Sequence, residues 1–298
     1  MPDFGTLKYY VRHTSFDTTN RVRIASMLNL QFPSWLVRGC AIPALAVLPA
    51  LVLAAGTQRQ TAKRLAPKPS APAAIPATPF CSGEILSYTV RWLGMNDAVS
   101  ARLTVVGEQD FFGKPAWHVQ AQAHTNNPLR YIVSVDDQFD SYASRTDLTG
   151  LQFEMYLHEQ GKSENHIYRL SSASTPAPAG ATQVQVLPNT RDALGFAYYL
   201  RTVNWEQTAE VRAPVFDGHK IYEARARMMT PEAEISVKAG KYAATSIGLR
   251  IYDRGTEVTA TKLTIWLAQD PAHTPVLIEV ELPIGTGRVE LQSAQSGG

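Results

Sequence analysis

The sequence predicts a mainly β protein: a strongly curved antiparallel meander sheet, half-barrel in shape, with one helix packed in its concavity. Three observations predict it. From Ser82 onward apolar and polar residues alternate with a period of two, the strand signature. The alternating runs are separated by short turn sequences, so successive strands pair as neighbours without the long crossovers that parallel strands need. A single segment, 189–203, breaks the period with helical spacing.

The first 80 residues are of another kind. They carry nine Lys/Arg against two Asp/Glu, whereas the remainder carries nineteen against twenty-four. From Cys40 to Ala55 sixteen residues hold no charge, with Arg21, Arg23 and Arg38 before them and Gly56, Thr57 and Gln58 after. This is the order of an export signal, so 1–56 reads as a signal or a retained signal-anchor that would touch the membrane if uncleaved. Pro43 and Pro49 interrupt a run already shorter than the ~20 residues of a bilayer span, which favours cleavage. Residues 57–80, with five prolines, read as a Pro/Ala-rich spacer. Removal of the leader takes Cys40 with it and leaves Cys81 as the sole cysteine, so no intramolecular disulfide is expected.

The body is assigned to 81–292 as one β domain, with 293–298 as a flexible tail. Leu86, Tyr88, Val90 and Trp92 alternate with polar residues, as do Val99 to Val105, Trp117 to Ala123 and Leu151 to Leu157; Val258–Leu267 and Val276–Leu282 repeat the pattern. Turn residues stand between the runs at Asp110–Gly113, Gln160-Gly161, Asp217-Gly218, Ala239-Gly240 and Arg254-Gly255. About eleven strands result, too many for a flat sheet, hence the curvature. In 189–203, Asn189 and Thr190 are N-cap candidates and Asp192 falls in the first turn, while Leu194, Ala197, Tyr198 and Arg201 share a stripe beside Phe196 and Leu200. A lone amphipathic helix in a sheet protein must bury its stripe, and the concave face is the place for it.

Familiar reaction chemistry is missing. No nucleophile elbow, P-loop, dinucleotide fingerprint or zinc-type cysteine pair occurs. His158 and Glu159 begin like a zinc-protease helix, but Lys162 stands where the second histidine belongs. His158 and His166 flank a turn and read as solvated strand positions, and Asp136, Asp137 and Asp140 lack the order of a calcium loop. No metal and no cofactor is expected. The acidic body has no run of basic residues interleaved with aromatics, which argues against nucleic acid as a partner.

These residues together resemble a family of bacterial envelope proteins catalogued as domain of unknown function 3108. The resemblance rests on Gly83-Glu84 with Leu86 to Trp92, on Val135-Asp136-Asp137, on Asp192-Ala193-Leu194 with Tyr198 to Arg201, on Asp217 to Lys220 with Tyr222, and on Ile265-Trp266-Leu267 with Asp270 and Pro275-Val276. It implies export to the periplasm or cell envelope and a curved sheet with one helix. It supplies no catalytic residue. By architecture the expected sheet is similar to the lipoprotein-carrier fold, and fold analogy alone supports a non-catalytic binding module for a lipid or other apolar ligand. Its ligand would meet Leu194, Phe196, Tyr198, Tyr199 and Trp266, with the helix as a lid. The reading from another class is an envelope scaffold or assembly protein that contacts other proteins through a sheet edge or the Asp-rich strand.

Overall fold

The computed structural model describes residues 78–92, 94–171, 179–259, 261–282 and 285–297, so the signal or anchor at 1–56 and nearly all of the spacer lie outside the described residues. Among the described residues fifteen strands and one α-helix are formed: β1 (Ile85–Trp92), β2 (Met95–Asp110), β3 (Pro115–Thr125), β4 (Asp136–Ser144), β5 (Gly150–Glu159), β6 (Lys162–Ser171), β7 (Thr182–Gln185), β8 (Arg191–Asp192), α1 (Ala193–Thr202), β9 (Glu210–Phe216), β10 (Ile221–Val237), β11 (Gly240–Asp253), β12 (Thr256–Glu257), β13 (Lys262–Ala268), β14 (Pro275–Leu282) and β15 (Gly285–Gln295).

All fifteen belong to one sheet, ordered β7-β6-β5-β4-β3-β2-β1-β15-β14-β13-β11-β10-β9-β8, with β12 paired to β11 off this path. The first and last strands of the body, β1 and β15, pair in the middle of this order, and the two ends, β7 and β8, are consecutive in the chain. That connectivity forces curvature. Laid flat, the order would span about 60 Å at the usual strand spacing. The link 186–190 between its two ends reaches only about 20 Å. The sheet therefore wraps until its ends meet.

They meet through side chains. Phe139, Phe153, Met155 and Leu170 from β4 to β6 pack with Val186 of the link and Phe216 of β9, and the Tyr168 and Phe216 rings stand edge to face at 5.2 Å. One backbone bond, Gly150 N–H to the Thr190 carbonyl at 2.9 Å, crosses the seam. Gly150 allows the close approach: a Cβ would lie 2.8 Å from Leu170 Cδ1 and 3.3 Å from the Asp192 nitrogen. The sheet is thus curled but not closed by a strand ladder.

The inward sides of β1 to β3 and β9 to β15, with α1, make the main core, including Leu86, Tyr88, Val90, Val119, Ala224, Ile247, Ile265, Ile278 and Leu291. Register shifts in β10 between Met228 and Ala233 bend the β10–β11 hairpin, and its tip returns to the sheet, where Ala239 N–H donates to the Leu291 carbonyl at 3.1 Å. Ile235, Val237 and Tyr242 of the bent half pack on the same core.

The alternating pattern located the strands, with four differences. The sheet is mixed rather than wholly antiparallel, because β6–β7 and β8–β9 pair in parallel where the chain swings from one end to the other. The expected strand Val258–Leu267 is shorter at its start, since β12 ends at Glu257 and β13 begins at Lys262. β15 continues to Gln295, paired with Ile85, past the boundary set for the tail. Asp192 is the N-cap of α1, not a first-turn residue, because Arg191 and Asp192 are held as β8 against β9.

Candidate functional site

The helix is the natural place to look for a site in the concavity. An amphipathic helix on a sheet keeps a solvent face, whereas one enclosed by structure is buried around its circumference. In α1, Ala193, Leu194, Gly195, Phe196, Tyr198, Leu200 and Arg201 are all buried. Phe80, from the end of the spacer, stands edge to face with both Tyr198 and Trp117, at 5.0 and 5.2 Å. The Phe80 ring thus occupies one side of Tyr198.

Each end of the helix is pinned by a buried charge. At the N-terminus Asp192 Oδ1 accepts from Gly195 N–H at 2.8 Å and Oδ2 accepts from Ser141 Oγ of β4 at 2.6 Å. Burial pushes this carboxyl up to about 6, against the lowering effect of those hydrogen bonds. At the C-terminus Arg201, 1% exposed, grips Glu84 in a bidentate pair at 2.7 and 2.8 Å and donates to the Ala272 carbonyl at 2.8 Å. Burial disfavours the guanidinium charge, but the Glu84 carboxylate outweighs it and raises the Arg201 pKa. The Tyr198 hydroxyl lies buried without a hydrogen-bond partner among the described residues.

Of the five residues expected to line a ligand space, Leu194, Phe196 and Tyr198 are buried in this packed interior. Tyr199 is half-buried, 6.3 Å from the Phe196 ring and beneath the Arg191 guanidinium at 3.7 Å. Trp266 does not join them. It alternates with the core residues Ile265 and Leu267 on β13, so its ring takes the opposite face of the sheet, and its indole N–H donates to Glu279 Oε2 at 3.1 Å. The Glu84–Arg201 pair was missed in the sequence. Its signal was present: an arginine on the buried stripe of a helix needs a counter-charge.

The Asp-rich strand β4 offers few free carboxylates. Asp136 pairs with Arg130 at 2.6 Å, and Asp137 Oδ1 accepts from His158 N–H at 2.9 Å. Asp140 is buried on the outer face, where His118, Gln120 and Gln138 converge on it at 2.7, 2.9 and 2.7 Å. Burial works against its charge, but those three hydrogen bonds prevail and hold it below the usual carboxylate range. Beside it Glu154, opposite Asp140 in the register, accepts from Gln152 and from Tyr156 Oη. The Phe111-Phe112 turn caps this network, with the Phe111 ring stacked on Tyr142 at 4.6 Å and the Arg169 guanidinium over both phenylalanines.

The same economy of carboxylates runs through the remaining turns. Asp217 Oδ1 accepts from the amides of His219 and Lys220 at 2.7 and 2.8 Å, and Asp270 accepts from Thr274 N–H and Oγ at 2.9 and 2.7 Å. A single wrapped sheet around a pinned helix, with acids that cap, brace and turn the backbone, defines the class: a β domain built on one sheet with a helix buried in its core. The chain belongs to the family described as Protein of unknown function (DUF3108), whose model matches residues 87–292. Among the residues that carried the resemblance, Glu84, Asp137, Asp192, Arg201, Asp217 and Asp270 make braces of this kind. A search of the curated proteins finds no match. Among solved structures, the chain is similar to a β-barrel-like protein of domain of unknown function DUF1849 from Brucella abortus, at 8% identity and a TM-score of 0.46, over 74% of this chain and 99% of that one. It is also similar to a "putative exported protein with YmcC-like fold" from Bacteroides fragilis, at 10% identity and a TM-score of 0.35, over 74% of this chain and 98% of that one. Among the described residues no helix is long and apolar enough to cross a membrane.

Proposed function

We propose that the protein is a non-catalytic binding module of the bacterial cell envelope that works through the outer surface of its sheet, as a scaffold or assembly protein. The observation that carries this reading is the helix with seven of its ten residues buried and both ends pinned. An apolar ligand held between helix and sheet requires α1 to act as a lid. Lifting it would expose Leu194, Phe196 and Leu200, at about 1.5–3 kcal/mol for each large apolar side chain, and break an N-cap, at about 1 kcal/mol. That is a large share of a typical domain's stability. Export is supported by the charge-free run 40–55 with its basic flank.

The test is a titration of the full chain with a fluorescent fatty acid, beside urea unfolding of Phe196→Ala. The expected result is no saturable uptake in the parent and a loss of about 3–5 kcal/mol in the variant, the cost of a cavity in a close-packed core. Saturable uptake that weakens in a variant losing under about 2 kcal/mol would return the helix to the role of a lid and the protein to the carrier reading.

A further inference from the structure

We propose that the outer face of β9, β10 and β11 binds a phosphate-bearing ligand across a row of three arginines. The inference rests on the outer-surface reading and names a ligand class for it. The strand register places Arg212 opposite Arg225 and Arg225 opposite Arg250, and the alternation with the buried Val211, Ala224, Ala226 and Leu249 puts all three on the outward side. Like charges directly opposite on neighbouring strands are destabilising. Arg227, one outward position along from Arg225, adds a fourth cation, while Glu210, Glu223 and Glu257 supply three anions.

Those acids compensate from the side. Glu210 and Glu223 each engage the Nε of an arginine two residues away on the same strand, Arg212 and Arg225, and Arg250 meets Glu257 only at 3.6 Å. The Nη groups of Arg212 and Arg225 have no hydrogen-bond partner among the described residues. The Arg225 guanidinium lies over the Tyr252 ring at 3.8 Å, which fixes its plane before any ligand arrives. Arg212 and Arg250 keep 61% and 68% of their side-chain surface exposed. Three guanidinium groups one strand spacing apart, two of them with both Nη groups free of hydrogen bonds and the third held only by a 3.6 Å ion pair, suit the tetrahedral oxygens of phosphate, which accept paired N–H donors. The patch is cationic on a body that is acidic as a whole. Its members are far apart in sequence, so only the register assembles it.

The experiment uses the full chain, titrated calorimetrically with inorganic pyrophosphate and floated with phosphatidylcholine vesicles with or without phosphatidic acid. The parent is compared with the double variant Arg212→Gln/Arg250→Gln and with a charge-matched control, Arg102→Gln/Lys162→Gln. Saturable binding of pyrophosphate that falls at least about tenfold in the double variant, with the control unchanged, is the expected result and identifies a soluble phosphate source. The same pattern with phosphatidic acid vesicles alone would equally support the site and identify a lipid headgroup. Absence of binding to either probe, or an equal loss in the control, would overturn it. Such a failure would leave the outer-surface reading standing, since that reading falls only to fatty-acid uptake.

Discussion

Asp192 concentrates the energetics of a single residue. Its carboxyl is buried and titrates near 6, above the ordinary carboxylate value of 3.8, so the folded state holds its proton more tightly than the unfolded chain does. The stability this contributes is complete below about pH 4 and is lost as pH rises through about 6. Asparagine caps a helix as well as aspartate and has no charge to desolvate. Asp192→Asn is therefore expected to lose less stability than the parent between pH 4.5 and pH 8, by about 2 kcal/mol, in paired urea titrations. An identical pH dependence in parent and variant would mean that this carboxyl is not the group responsible. Glu84 and Arg201 make the complementary case. Glu84→Gln leaves a guanidinium buried without its counter-charge, with an expected cost of about 3–5 kcal/mol. Replacing both partners, as Glu84→Gln/Arg201→Met, is expected to recover most of that loss. A double variant no more stable than the single one would show that the two do not act as a pair.

At the scale of elements, the period of two was sufficient to find the strands, and helical spacing to find α1, because both patterns report which side of an element meets the core. The alternation could not report what stands opposite. Trp266 reads as a ligand-facing aromatic in sequence, and only its phase against Ile265 and Leu267 shows it on the other face. The arginine row is hidden for the same reason: Arg212, Arg225 and Arg250 belong to three strands whose pairing is set by turn lengths and by the bulges of β10. The later start of β13 at Lys262 and the parallel pairs at β7 and β8 also have no local signal, since each follows from where the curled sheet must send the chain. Arg201 is the exception that was locally legible. Its neighbours on the stripe are apolar, and a charge among them announces a buried partner even though it does not say that the partner is Glu84.

The described body is a sheet whose two ends are tied together by the short link 186–190, so curvature has two sources: the covalent link and the side-chain seam of Phe139, Phe153, Met155, Leu170, Val186 and Phe216. A circular permutant separates them. Ile85 and Gln295 are paired on adjacent strands, so a short Gly/Ser linker from Gly297 to Thr78 can join the ends of the body with Phe80 and Glu84 kept, and new termini can be opened between Pro188 and Asn189. With the link cut, the seam alone must hold β6 and β9 together. The body is expected to fold, because β1 to β6 and β9 to β15 keep every antiparallel neighbour they have in the parent. It is expected to be less stable, since closing the sheet then carries the chain entropy that the link removes. The decisive measurement is Phe216→Ala in both backgrounds. In the parent the link keeps the ends close, so the variant loses only the contacts of one ring. In the permutant the same truncation lets the ends separate, and the loss should exceed that in the parent by more than about 0.5 kcal/mol, the margin within which independent changes add. Equal losses in the two backgrounds would mean that the link contributes nothing to closure and that the twist of the sheet suffices to bring its ends together.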